Sequence, residues 1–510
     1  MSKALHVPPA KGAAVRTLAR GLGLPLVAGA ACVFGFAPFY AWPVPIAMLA
    51  ILFHLVATSG TALRAGLTAF AFGLGYFLAG VSWIYVSLHV YGAMPAPLAA
   101  IATFLVCAYC ALFPAATGWI ALRWGGERAG PQLALAAAAW VVLEWLRSWL
   151  FSGFPWLTIG TSQVPSSPLA GFAPLAGAYG TSLAVTLAAA LLAALFQSFA
   201  LTHARYRVLG ALAVLFLAGG LARTVVWSAP SGEPITVALL QGNVPQQLKW
   251  REETRAKTLV DYRRMVMDAK ARVVVLPETA LPAFLDELPR DYVESLREHG
   301  RRTGTDIVMG TAEREFRGRE YDYYNSVVNL TDPGAKSYRK RHLVPFGEYI
   351  PPGFRWILAV LKIPLSDFSV PAGKPELVTA GGRNFGVAIC YEDIFGEEVI
   401  EVLPTAEILL NVSNDAWFGE SFAADQHLQA SQMRALETGR WMVRSTNTGV
   451  TAAIDERGRV LARLPLFTTG TLVQRVEPRS GTTPYVRWGN WAAVIAAVAL
   501  AAAALRAARR

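Results

Sequence analysis

Long apolar runs separated by short polar breaks fill the chain as far as residue 226, and then the pattern changes. Stretches near 22–39, 43–58, 66–87, 96–122, 132–150, 177–199 and 207–226 are apolar and of suitable length; an α-helix needs about 20 such residues to cross a hydrocarbon core. One more stretch runs from Trp488 to Leu505. Between residues 230 and 480 charged residues return, and short strand-like runs alternate with helical patterns. Ile235–Leu240, Val273–Leu276, Asp306–Met309, Asn325–Leu330, Phe385–Ile389, Glu407–Val412 and Gly449–Ile454 predict strands. Trp250 to about Ala271 and Arg290–Thr303 predict helices. The expected organisation is a membrane domain of about seven transmembrane helices over 1–228 and an α/β layered domain over 229–482. A C-terminal transmembrane helix with a basic tail follows over 483–510.

Composition agrees with a membrane protein that carries a soluble domain. Apolar residues make up 54% of the 510 and charged residues 16%, against roughly a quarter charged in soluble chains. The net charge of +11 does not form a basic stripe interleaved with aromatics, which argues against nucleic acid as a partner. It sits instead in short loops. With the N-terminus inside, the cytoplasmic loops carry Arg64, then Arg123 and Arg128, then Arg205 and Arg207, and the tail adds Arg506, Arg509 and Arg510. The opposite loops, Ala37 to Trp42 and His89 to Pro97, carry no lysine or arginine; Arg147 and Arg223 are mild exceptions. The positive-inside rule then puts both termini in the cytoplasm and residues 230–480 outside it. The basic start, through Lys3, Lys11, Arg16 and Arg20, also fits a signal peptide, but further spans follow at once.

Of the four cysteines, Cys32, Cys107 and Cys110 lie in apolar segments. Cys107-x-x-Cys110 has redox or metal spacing, yet no histidine or carboxylate accompanies it, which favours helix packing. Cys390 differs. It ends the apolar run Phe385–Ile389 and is followed by Tyr391, Glu392 and Asp393. A thiol at a strand exit is either a packed small hydrophobe or a nucleophile. Glu278 follows a strand directly and reads as a solvated turn residue or as a catalytic acid/base. Lys340 lies in a basic segment that alone reads as an exposed strand or a headgroup patch. Glu144 and Arg147, three apart on the fifth span, read as a paired patch at the membrane edge or as a substrate contact. The segment 151–174 is rich in Gly, Pro and aromatics, suited to an interfacial or re-entrant loop. Apolar Phe354–Ile363 reads as a core helix or as an interfacial arm.

Together, Glu278, Lys340 and Cys390 resemble the Glu-Lys-Cys triad of the nitrilase (carbon–nitrogen hydrolase) superfamily. Gln241-Gly-Asn-Val-Pro-Gln246, Lys249-Trp250, Pro277-Glu278-Thr-Ala280, Lys340-Arg-His-Leu-Val-Pro-Phe-Gly-Glu348, Ser366-Asp-Phe-Ser369, Cys390-Tyr-Glu392 and Asn411-Val-Ser-Asn-Asp-Ala-Trp-Phe-Gly419 are similar to the apolipoprotein N-acyltransferase family. So is the layout of seven spans, a domain and an eighth span. The resemblance implies an α-β-β-α sandwich and a bacterial inner-membrane enzyme with its catalytic domain in the periplasm. It implies Cys390 as nucleophile, Glu278 as proton acceptor and Lys340 as stabiliser of thiolate and oxyanion, with the Tyr391 N–H as a second donor. Glu348 and Glu392 are expected as accessory acids, and Trp250, Tyr391 and Trp417 as lining for the acyl or headgroup site, or else as core aromatics. No metal or cofactor is expected. The implied reaction takes an acyl chain, usually sn-1 of phosphatidylethanolamine, through a Cys390 thioester. The acceptor is the α-amine of diacylglyceryl-cysteine on an apolipoprotein. The rivals are a membrane-tethered amidase or nitrilase that uses water, and a transporter or lipid-binding scaffold with an inactive domain.

Overall fold

Helices occupy the eight apolar stretches in the computed structural model, which describes residues 11–197, 202–318, 320–332, 334–351, 353 and 367–510. They are Lys11–Ala31, Pro43–Ala57, Ala62–Val81, Ala96–Trp124, Ala129–Arg147, Ala173–Gln197, Thr202–Ala222 and Trp491–Ala508. Six have the length and apolarity to cross a membrane, and the apolar helices Gly21–Gly35 and Pro43–Ala57 are shorter. Small residues let the first and third helices touch. A Cβ at Gly29 would collide with the Phe72 carbonyl oxygen, and one at Gly75 with that of Leu26. Such backbone proximity provides packing energy where water offers no hydrophobic drive. The apolar segment Phe354–Ile363 lies outside the described residues.

Residues 148–172 fold over the ends of these helices through the 3-10 turns Leu150–Ser152, Ile159–Gln163 and Pro168–Phe172. Here Glu144 and Arg147 differ from the paired patch at the membrane edge that their spacing suggests. Both are buried, and the hydrogen bonds of each go to other groups. Glu144 instead accepts from the Ile159 N–H at 2.8 Å and the Ser182 hydroxyl. Arg147 donates to the carbonyls of Phe154 and Trp156. Each charge serves backbone groups that an irregular segment would otherwise leave unsatisfied.

Fourteen strands follow among the described residues: β1 (Ser228–Pro230), β2 (Ile235–Gln241), β3 (Val273–Leu276), β4 (Asp306–Arg317), β5 (Glu320–Asn329), β6 (Tyr338–Arg339), β7 (Val378–Ala380), β8 (Arg383–Ile389), β9 (Ile408–Ser413), β10 (Met442–Thr446), β11 (Ala452–Ile454), β12 (Val460–Arg463), β13 (Gly470–Val476) and β14 (Arg479–Gly481). Twelve of them form two six-stranded sheets, ordered β13-β2-β3-β4-β5-β6 and β12-β11-β10-β9-β8-β7. The parallel pairs β2–β3, β3–β4, β8–β9 and β9–β10 lie at their centres. These central strands are buried on both faces, hence their continuous apolar runs. Val237, Leu239, Val275 and Val308 of one sheet meet Val387, Ile389, Leu410 and Val443 of the other in the inter-sheet core. Helices Glu252–Asp268 and Arg290–Thr303 cover the outer face of the first sheet through Tyr262, Val266 and Leu296. Helix Ala423–Thr438 covers the second through Leu428 and Ala435. The result is an α-β-β-α sandwich. β1 pairs with β14, so the chain enters and leaves the sandwich at one place.

Candidate active site

The ends of β3, β6 and β8 converge. β3 and β6 belong to one sheet and β8 to the other, so Glu278 and Lys340 face Cys390 across one end of the sandwich. Lys340 Nζ lies 3.8 Å from Glu278 Oε1 and 2.8 Å from Glu348 Oε1. Asn325 Nδ2 donates to Glu278 Oε1 at 2.7 Å and to Glu348 Oε1 at 3.2 Å. The Asn414 N–H donates to Glu278 Oε2 at 2.8 Å, and the Val344 N–H holds the second oxygen of Glu348 at 2.9 Å. Glu278 is 7% exposed and Lys340 1%.

Burial sets the electrostatics. It pushes the Glu278 carboxyl up, against the pull of Lys340 and with the push of Glu348. A carboxylate raised in this way is a better proton acceptor than one in water. Burial also raises the Cys390 thiol, as does the Glu278 charge, while Lys340 opposes both. Burial works against the charge on Lys340, yet Glu348 and Glu278 outweigh it and hold the ammonium protonated. Cys390 thus stands beside a buried carboxyl, with the Lys340 ammonium held between Glu278 and Glu348.

Cys390 has φ 52°, a conformation that costs a non-glycine residue about 1–3 kcal/mol. It opens the 3-10 turn Cys390–Ile394, whose first N–H groups, including that of Tyr391, the turn itself leaves unused. Glu392 pins this turn to the lysine segment. It accepts from the Ile389 N–H at 2.7 Å, the Arg341 N–H at 2.7 Å, the His342 N–H at 3.1 Å and the Tyr338 hydroxyl at 2.9 Å. Burial raises it to about 7, against Lys340 and those N–H groups.

The other sequence candidates spread out. Tyr391 is buried and donates to the Gly153 carbonyl at 3.0 Å, with its ring stacked on Trp156. It thus faces the membrane helices. Trp417 is half-buried beside Tyr91, and its carbonyl accepts from Ser87 at 2.8 Å. Trp250 is exposed, in the turn before helix Glu252–Asp268. Among the described residues no group of three or more His, Cys, Asp or Glu is arranged to hold a metal ion. A cavity of about 270 Å³ opens between the 148–161 segment and residues 394–398, lined by Trp149, Trp156, His342 and Phe395.

Sequence reasoning gave no role to Asn325, Asn414 or Lys249. Lys249 is 2% exposed; its Nζ donates to the Thr279 hydroxyl at 3.0 Å and the Glu278 carbonyl at 3.4 Å. Burial pushes it down to about 8, against Glu278. Beneath Cys390, Asp393, Asp415, His427 and Arg444 form a cluster closed to solvent. A signal for it was available: Arg444 interrupts the buried run Met442-Val-Arg-Ser-Thr446, and a charge inside a central strand demands partners.

Two family models match the chain: Apolipoprotein N-acyltransferase N-terminal domain over residues 28–191 and Carbon-nitrogen hydrolase over 236–485. An apolipoprotein N-acyltransferase of Nitrosomonas europaea is 50% identical over 91% of this chain and 92% of its own length. One of Methylococcus capsulatus is 44% identical over 92% and 93%. Among solved structures, an amidase from Nesterenkonia sp. shares 16% identity, covering 48% of this chain and 91% of its own, with a TM-score of 0.34.

Proposed function

This chain belongs to the apolipoprotein N-acyltransferase family, and on that premise we propose that it acylates the free α-amine of diacylglyceryl-cysteine on apolipoproteins at the bacterial inner membrane. The catalytic sandwich stands on the periplasmic side, with both termini in the cytoplasm, and the donor is a membrane phospholipid, with sn-1 of phosphatidylethanolamine the first candidate.

One observation carries this reading. The turn that bears Cys390 is packed against the membrane body: Tyr391, Ile394 and Phe395 share a core with Phe72 and Phe77 of helix Ala62–Val81 and with Trp156 and Leu157 of the 148–172 segment. A soluble nitrile or amide gives no reason for a nucleophile built onto a bilayer-spanning body, whereas two lipid-anchored substrates do.

In the first half-reaction Glu278 takes the proton of Cys390 as Sγ attacks the ester carbonyl. The oxyanion faces the Lys340 ammonium and the Tyr391 N–H. Collapse breaks the acyl–oxygen bond, and Glu278 returns the proton to the departing lysophospholipid oxygen, leaving a Cys390 thioester. In the second, the neutral α-amine attacks the thioester carbonyl and Glu278 accepts its proton. The Cys390 thiolate leaves, recovers a proton and releases the N-acylated, triacylated product. Glu348 orients Lys340, and Glu392 holds the nucleophile turn. No step needs a metal.

The test uses purified full-length protein in mixed micelles with phospholipid and a diacylglyceryl-cysteinyl peptide. The free-amine peptide gains one acyl chain and its N-acetylated form gains none. Equal release of fatty acid with or without the amine would point to the hydrolase; unchanged transfer by Cys390→Ala would remove the thioester route.

A further inference from the structure

The cluster under Cys390 contains two carboxylates and two cations. His427 Nε2 lies 2.7 Å from Asp393 Oδ1 and 3.1 Å from the Cys390 carbonyl oxygen, and Nδ1 lies 2.9 Å from Asp415 Oδ1. Both ring nitrogens thus face carboxylates, and Nδ1 also lies 3.2 Å from an Arg444 guanidinium nitrogen; the nearer carboxylate oxygen on each side suits a ring that donates from both. Arg444 reaches the remaining oxygens, Asp393 Oδ2 at 2.9 Å and Asp415 Oδ2 at 3.3 Å. Ser413 and Ser431 hydroxyls complete the acceptor shells. All four charged side chains are essentially without solvent exposure.

Such a quartet is a poor device for stability alone, because apolar side chains of similar volume often serve as well or better. Its position is informative. Asp393 belongs to the nucleophile turn, Asp415 follows β9, Arg444 stands on β10, and His427 lies on helix Ala423–Thr438. The four therefore lock four neighbouring segments around one carbonyl, that of the residue with the costly positive φ.

We propose that His427 is a positioning residue that sets the nucleophile turn through its single Nε2–H, shared between Asp393 Oδ1 at 2.7 Å and the Cys390 carbonyl oxygen at 3.1 Å, with Asp393, Asp415 and Arg444 holding the imidazolium in place. Asn411 Nδ2 gives that carbonyl its second donor at 3.1 Å. Together they fix the direction in which Sγ leaves the backbone toward Glu278 and Lys340. The inference rests on the reading of Cys390 as the nucleophile. It extends that reading to the membrane body as well, since the His427 ring packs on Trp156 with centroids 5.7 Å apart.

The experiment isolates the donor from the charge. Asp415→Asn combined with His427→Gln removes one charge of each sign and keeps an amide N–H at the reach of Nε2. Asp415→Asn with His427→Leu removes the donor, and Asp415→Asn with His427→Asn places a polar group too short to reach the carbonyl. Single-turnover thioester formation and iodoacetamide alkylation of Cys390 are measured in full-length protein. The Gln pair is expected to match Asp415→Asn alone. The Leu and Asn pairs acylate about ten- to hundredfold more slowly at saturating donor, with unchanged half-saturation and a matching loss in alkylation. Folded Leu or Asn pairs that acylate as fast as the Gln pair would overturn the proposal, as would a loss confined to half-saturation. Absence of a thioester on unsubstituted protein would instead overturn the reaction itself, while the alkylation comparison still reports on His427.

Discussion

Glu278 works between opposing charges, and the least expected of these is Lys249. Its ammonium braces the Glu278 carbonyl and the Thr279 hydroxyl at a residue with φ 40°. Replacing it with methionine removes a cation that favours the charged form of Glu278. The acid limb of the kcat/KM profile should move to higher pH, with a larger loss at pH 6 than at pH 8; an unmoved limb would leave Lys249 a brace only. His427 makes a prediction about stability. Burial and Arg444 disfavour its charge, but Asp393 and Asp415 outweigh them and raise it to about 9. Because the folded state holds this proton more tightly, the stabilisation is complete below the unfolded value of about 6.5 and lost as pH rises through about 9. Its size is on the order of 3 kcal/mol. The thermal midpoint should fall across that window, and should do so less in Asp415→Asn with His427→Gln. At this scale the sequence was legible where a motif marked the residue: Glu278, Lys340 and Cys390 converge, as their resemblance to a known triad implies. The quartet was not, because its members come from four separate segments and only the fold shows that they meet.

The helix Ala423–Thr438 marks the same boundary among elements. β8 and β9 carry continuous apolar runs and helix Arg290–Thr303 an amphipathic pattern, and all three appear close to where those patterns put them. Ala423–Thr438 is instead rich in Gln, His, Ser and Arg and yet almost wholly buried, so no apolar stripe betrays it. Its polar residues have partners in the membrane body. Gln426 accepts from Trp156 Nε1 at 2.7 Å and donates to the Gly80 carbonyl at 3.1 Å. Gln429 accepts from the Ala37 N–H and donates to the Val164 carbonyl, both at 2.9 Å. Gln432 accepts from the Tyr40 hydroxyl at 3.1 Å. Spaced by three, they form one face of the helix that docks the sandwich on the membrane helices. Gln429→Leu strands a buried N–H and a buried carbonyl, at a cost of about 1–3 kcal/mol each. Thermal unfolding in detergent should show a clear loss of stability; a midpoint unchanged from the unsubstituted protein would contradict the docking role.

For the whole molecule, charge in the short loops and the pairing of β1 with β14 support the proposed topology, in which the sandwich is fastened at both ends to one side of the bilayer. Alkaline phosphatase fused after Ser231 should be active and fused after Arg205 inactive, and the reverse pattern would invert the topology. The central claim is the covalent one. Full-length protein is incubated with phospholipid carrying a labelled sn-1 chain and no acceptor, then analysed for label on Cys390. The account predicts a hydroxylamine-labile adduct that a diacylglyceryl-cysteinyl peptide discharges, absent in Cys390→Ala and formed about 10²–10⁴-fold more slowly in Glu278→Gln. Transfer of label to the peptide by Cys390→Ala, or no adduct on folded protein with transfer intact, would contradict it.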